Sequence, residues 1–218
     1  MEFTLMTFRP PQVLLRSFVG VALCALTLGA ALPAGAIIRL DPKSIDAALV
    51  YGMKNQKLGL STLLGPNWVE GTDGSLLNVY SPFMMVASKA AKAKFSMNPS
   101  KSDLKKARER FGKEVAFYSD PKNRQQVKFS VSFYGSSLEF AKEYHARIVG
   151  FGRGKEFDIK PHKEILDQKA DPAGNLYEGI NAYYFNMADI EDLQEFRLVL
   201  ESPKGNPVTF RLKNEKLY

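Results

Sequence analysis

Cysteine and histidine are nearly absent from this chain, and tryptophan occurs once. The 218 residues hold one cysteine, Cys24, two histidines, His145 and His162, and one tryptophan, Trp68. Cys24 falls inside an N-terminal apolar run that reads as a leader, so the exported chain is expected to carry no cysteine. That excludes a disulfide framework, a thiolate nucleophile and a cysteine-based metal site. The two histidines do not stand at i, i+4 spacing, and neither belongs to a ligand pattern with carboxylates, so no metal is expected. Asp158 and His162 meet only if the connection after Asp158 folds back. No G-x-S-x-G elbow is present. Gly150-Phe151-Gly152-Arg153-Gly154 begins like a dinucleotide fingerprint, but its surroundings read as a hairpin and not a strand-to-helix turn. No cofactor is expected.

Long apolar runs are equally scarce. The one candidate is 18–32, preceded by Arg9 and Arg16 and followed by Pro33 and Ala34-Gly35-Ala36. A basic flank, a short apolar stretch and small residues before a cut describe a secretory signal peptide over 1–36. The rival is a membrane anchor, for which this run is shorter than the roughly 20 residues a span needs. A lipoprotein anchor on Cys24 would need a small residue before it, where Leu23 stands. The mature chain expected is 37–218, long enough for one domain with its own core. Periplasm, outer-membrane surface and extracellular space all fit this export.

Charge is unevenly placed. The chain carries a formal +7. Residues 37–88 are balanced, and 114–218 are nearly so. Residues 89–113 hold Lys89, Lys92, Lys94, Lys101, Lys105, Lys106, Arg108, Arg110 and Lys113 against Asp103 and Glu109. The positive excess of the mature chain therefore sits in one short stretch.

The stretch 126–135, QVKFSVSFYG, has the cleanest period in the chain. Val127, Phe129, Val131 and Phe133 share one face, while Lys128, Ser130, Ser132 and Tyr134 share the other. Such alternation predicts a half-buried strand. Around it the pattern predicts a helix over 44–57 and a turn-rich stretch over 67–74, where Trp68 plugs the core or stands as an aromatic platform. A strand is expected from 75 to about Ala87, with a helix from Pro82 as the competing reading. A helix is expected over 98–112, capped by Ser102, striped by Leu104, Ala107 and Phe111 and stopped by Gly112. Strands are expected at 114–118, 143–151, 155–160, 176–186, 195–201 and 208–212. Gly152-Arg153-Gly154 reads as a hairpin turn, and 138–148 also fits a helical stripe. A helical turn is expected at 163–167, and a turn at 188–193.

Many short strands separated by turn signals, with no βα alternation, predict a mainly β chain. The expected architecture is an antiparallel immunoglobulin-like β-sandwich with one or two N-terminal or inserted helices. The likeness is architectural only, because the cysteine–tryptophan–cysteine hallmark is missing. The organisation expected is a leader over 1–36, a helical and turn-rich segment over 37–74, and a sandwich domain over 75–218 that carries the basic helix.

For function, the basic stretch stands out. Lys101, Lys105, Lys106, Arg108 and Arg110 are the candidate binding residues for an anionic partner. An exported chain favours an anionic envelope polymer, lipid headgroups or another envelope protein over nucleic acid. The alternative is a solvated face that keeps the protein soluble. The expectation is a non-enzymatic binding or assembly protein of a bacterial cell envelope, without catalytic residues. Two other readings stay open. One is a small secreted hydrolase with a loop-borne site near His162 or near Asp189, Glu191, Asp192 and Glu195. The other is a structural subunit that assembles by strand addition. A concave site joining a histidine to carboxylates at hydrogen-bond distance would favour the hydrolase.

Overall fold

The computed structural model describes residues 40, 42–71, 73–120, 122, 126–152 and 154–213. The expected leader, 1–36, and the Trp68 side chain lie outside the described residues. In chain order the elements are α1 (Pro42–Lys54), α2 (Leu60–Leu64), β1 (Trp68–Glu70), β2 (Leu76–Tyr80) and α3 (Pro82–Ala91). Then follow α4 (Lys101–Arg110), α5 (Gly112–Ser119), β3 (Gln126–Gly135), β4 (His145–Gly152), β5 (Lys155–Ile159) and β6 (Lys163–Ile165). The chain continues with β7 (Asp171–Ala173), β8 (Leu176–Asn186), α6 (Met187–Ile190), β9 (Glu195–Glu201) and β10 (Val208–Lys213).

The protein is mainly β, with two antiparallel sheets and a few helices. One sheet runs β1-β2-β3-β8-β6, with β7 also paired to β8. The other runs β10-β9-β4-β5. β3 pairs along its whole length with β8 and carries β2 on its other edge. Val127, Phe129, Val131 and Phe133 are buried, as their alternation requires. They share one core with Tyr183 and Phe185 of β8 and with Phe196, Leu198 and Leu200 of β9. Phe129 meets Phe185 edge to face at 5.3 Å, and Phe196 of the other sheet at 6.3 Å. The dry faces of the two sheets thus share a core. The hairpin expected at Gly152 to Gly154 joins β4 to β5, and Gly154 takes the left-handed φ of +74° that its turn demands.

Several expectations fail for identifiable reasons. The strand expected to reach Ala87 ends at Tyr80. Ser81 caps a helix by accepting from the Met84 N–H at 3.3 Å, and Pro82 opens it. Phe83, Val86, Ala87 and Ala90 are buried at helical spacing. The cap of α4 is Ser100, not Ser102. Ser100 Oγ accepts from the Asp103 N–H, and the Asp103 carboxylate accepts from the Ser100 N–H at 2.9 Å, a reciprocal capping box. Gly112 does not stop the helical region. It opens α5, which replaces the strand expected at 114–118, and the Val115 N–H donates to the Phe111 carbonyl at 2.8 Å. The helical turn expected at 163–167 is instead β6 on the edge of β8. There Asp167 ties the following connection down by accepting from the Ile180 N–H at 3.1 Å. The alternative helical stripe over 138–148 shrinks to a 3₁₀ turn, Phe140–Glu143, before β4. The turn expected at 188–193 contains part of α6.

The helices form a layer of their own. Leu49 and Met53 of α1 and Phe83 and Ala87 of α3 are fully buried. Gly52, which weakens α1 by intrinsic propensity, lies against α3. A Cβ there would stand 2.1 Å from the Ala87 carbonyl oxygen and 2.8 Å from the Ala90 Cβ. Gly52→Ala should therefore destabilise the protein by about 1–3 kcal/mol through overpacking, reversing the gain that helix propensity alone predicts. Urea unfolding followed by circular dichroism reads the sign directly.

Tyr118, near the end of α5, lies close enough to Tyr184 of the larger sheet to feel its charge. Tyr80, Lys128, Tyr184 and Lys163 stand opposite one another across β2, β3, β8 and β6. Lys128 Nζ lies 5.5 Å from the Tyr80 ring centre, and Lys163 Nζ 5.3 Å from that of Tyr184. Burial pushes the Tyr118 hydroxyl of α5 up to about 12, with smaller contributions from Tyr184 and Glu114. The unfolded chain releases this proton near pH 10. The contribution of Tyr118 to stability is therefore whole below about pH 10 and is lost as pH rises from about 10 to about 12. Tyr118→Phe should flatten the loss of stability in that window, as measured by denaturant midpoints across alkaline pH.

Candidate functional site

Two places carry concentrated chemistry. The first is the basic helical layer. Lys101, Lys105 and Lys106 of α4 are solvent-exposed, as are Lys89, Lys92, Lys94 and Lys113 around it. The two arginines of the candidate set are placed differently. Arg108 Nε donates to Asp46 of α1 at 2.7 Å. Arg110 donates to the Ala93 carbonyl at 3.2 Å, and its guanidinium carbon lies 5.8 Å and 5.9 Å from the Phe95 and Phe111 ring centres. Arginine, with its planar fork, suits such docking contacts, whereas lysine is a strongly hydrated point charge. Two nearby carboxylates are already engaged. Asp103 closes the capping box, and hydrogen bonds from Ser100 hold its carboxyl below the usual carboxylate range. Asp46 holds Arg108.

Beside this face, Lys57, Lys92 and Lys94 rim a concavity of about 490 Å³ whose apolar walls include Leu58, Leu63 and Phe95. Gln56 Nε2 donates to the Phe95 carbonyl and ties the α3–α4 connection to the end of α1. Lys94 adopts a left-handed φ of +53° in that connection.

The second place is a cleft of about 480 Å³ at the start of β4. His145, Arg147, His162, Lys163, Glu164 and Glu201 contribute to its lining. Glu164 Oε2 lies 2.7 Å from His145 Nδ1, and Glu164 Oε1 accepts the Ala146 N–H at 3.0 Å. The Glu164 side chain is 22% exposed and that of His145 is 63%. This carboxylate links β6 of one sheet to β4 of the other. It also orients the imidazole with Nδ1–H towards Glu164, which leaves Nε2 as an acceptor. Arg147 bridges Asp158 at 3.1 Å and Glu201 at 2.9 Å. The Arg147 hydrogen bond holds the Glu201 carboxyl below its ordinary range.

Asp158 therefore pairs with Arg147 and not with His162. The ring of His162 faces Tyr184, with centroids 6.5 Å apart. In the acidic group, Glu195 pairs with Lys213 at 2.7 Å, and Asp189 accepts from Asn186 at 3.2 Å. Among the described residues no cluster of three or more histidine, cysteine, aspartate or glutamate side chains could hold a metal. No helix of the described residues is long and apolar enough to cross a membrane.

Chemically, the cleft offers an oriented imidazole beside cations, an arrangement suited to general-base activation of water. No serine, threonine or cysteine lines it, so water would be the nucleophile. Glu164 was absent from the residues singled out by pattern. It belongs to a three-residue edge strand whose alternation is too short to register, and its partner His145 lies in the opposite sheet. Comparison with protein-family models, with curated proteins and with solved structures finds no match to this chain.

Proposed function

We propose that this chain is an exported, non-enzymatic binding or assembly protein of a bacterial cell envelope, held to an anionic surface or polymer by its helical layer. One observation carries the reading. Lys101, Lys105 and Lys106 stand exposed on α4, with Asp46 held by Arg108, Asp103 held in the capping box and Glu109 the other acid of that helix. A face whose cations outnumber its acids attracts anions. The apolar concavity rimmed by Lys57, Lys92 and Lys94 suits a headgroup joined to an acyl chain. Export rests on the leader-like segment 1–36. An immunoglobulin-like sandwich belongs to the same reading, because two antiparallel sheets that share a core leave edges and connections for contact.

The test is co-sedimentation with phosphatidylglycerol vesicles, phosphatidylcholine vesicles and a purified anionic envelope polymer. The protein is purified after expression of the full chain. Binding should favour the anionic targets and weaken steeply with added salt. Each exposed lysine near such a surface is worth about 1 kcal/mol, so the triple change of Lys101, Lys105 and Lys106 to Gln should weaken binding by roughly a hundredfold. Undiminished binding by that variant would remove the helical layer from the function.

A second reading has its own observation, the His145–Glu164 pair at 2.7 Å in a cleft that also holds Lys160 and Lys163. In this reading the protein is a hydrolase for anionic esters, with His145 as general base and Glu164 as its positioning residue. Turnover of a nitrophenyl phosphodiester should then fall by about 10²-fold or more in His145→Ala. Turnover that is absent, or unchanged in the variant, leaves the binding reading alone.

A further inference from the structure

The outer face of the smaller sheet carries charges whose pairing is incomplete. Register sets Arg211 of β10 directly opposite Arg197 of β9, and Arg197 opposite Val149 of β4. The next row on that face is Lys213, Glu195, Phe151 and Glu156. Two cations of this face have acids. Arg147 has Asp158 and Glu201, and Lys213 has Glu195. Arg197 and Arg211 are exposed, and no described residue forms an ion pair or hydrogen bond with either guanidinium. Like charges directly opposite one another destabilise a sheet.

The two arginines line a concavity of about 800 Å³ together with Val149 and Phe151. That volume lies within the roughly 300–1,000 Å³ typical of small-ligand sites. Phe151 is 63% exposed beside them. A monoanion would leave one guanidinium uncompensated, whereas a dianion neutralises both and matches their planar forks. Glu195 and Lys213 also line the concavity and pair with each other, and Glu156 sits on the far side of Phe151 from the arginines, so the anionic group belongs at the Arg197 end and an uncharged body at the Phe151 end.

We propose that this concavity binds a phosphate monoester with a planar apolar body. Arg197 and Arg211 clamp the phosphoryl oxygens, and Phe151 packs on the body. The site is separate from the helical layer and from the His145 cleft.

Calorimetric titration at fixed ionic strength tests it, with phenyl phosphate, inorganic phosphate and benzoate as probes. The protein is again purified after expression of the full chain. Phenyl phosphate should bind about tenfold or more tightly than either other probe. Arg197→Gln and Arg211→Gln should each weaken it by about tenfold or more. Phe151→Ala should abolish the preference for phenyl phosphate over inorganic phosphate and leave inorganic phosphate itself unaffected. Without ligand, the thermal midpoint of Arg211→Gln should equal or exceed that of the parent, because a like-charge pair is removed. Equal binding by the arginine variants, benzoate binding as tightly as phenyl phosphate, or binding lost instead in the Lys101, Lys105 and Lys106 variant would each overturn the proposal. A thermal midpoint lowered in both arginine variants would do so too, by showing that the guanidiniums hold the sheet.

Discussion

The dry face of β3 is the constraint on which the other elements depend. Val127, Phe129, Val131 and Phe133 remain buried only while β2 and β8 flank the strand and β9 lies across from it. A one-residue slip would turn Lys128, Ser130 and Ser132 into the core. Register is therefore strongly specified, and the outward residues inherit it. The Tyr80, Lys128, Tyr184 and Lys163 row exists because the inward residues hold β2, β3, β8 and β6 in step. The contact of Phe129 with Phe196 then couples that sheet to the smaller one. Through this coupling Glu164 on β6 reaches His145 on β4.

Charge is divided by residue type. Arg108, Arg110 and Arg147 dock one element on another through directional hydrogen bonds. The lysines of α4 and of the adjoining connections face water. Arginine's fork favours fixed geometry, while lysine's hydrated ammonium stays in solvent. The net positive stretch is thus two populations, one that builds the helical layer and one that it presents. Arg197 and Arg211 break the pattern, since neither guanidinium pairs with an acid among the described residues.

The His145 cleft has a structural explanation that the arginine pair lacks. Glu164 satisfies a backbone N–H at the start of β4 and anchors a short edge strand, so its position serves the fold whether or not the imidazole acts on a substrate.

Much of the sheet structure was legible in the chain. The bounds of β3 and β9 follow from alternation, because a strand with one face buried must repeat every second residue, and β8 was legible from its aromatic residues Tyr177, Tyr183, Tyr184 and Phe185. The amphipathic stripe of α4 and the hairpin at Gly154 were legible for similarly local reasons. The choice between strand and helix after Tyr80 was not, since an apolar run such as Phe83 to Val86 suits either, and burial against α1 settles it together with the Ser81 cap. Nor were β6 and β7, which are too short to show a period and exist because β8 offers a free edge. The apolar face of β3 and the concentration of cations in 89–113 are properties of the sequence by itself, set by residue type and spacing. Which of those cations are engaged, which histidine meets a carboxylate, and which two arginines stand directly opposite each other were decided by tertiary structure, because each depends on residues far apart in the chain being brought within a few ångströms.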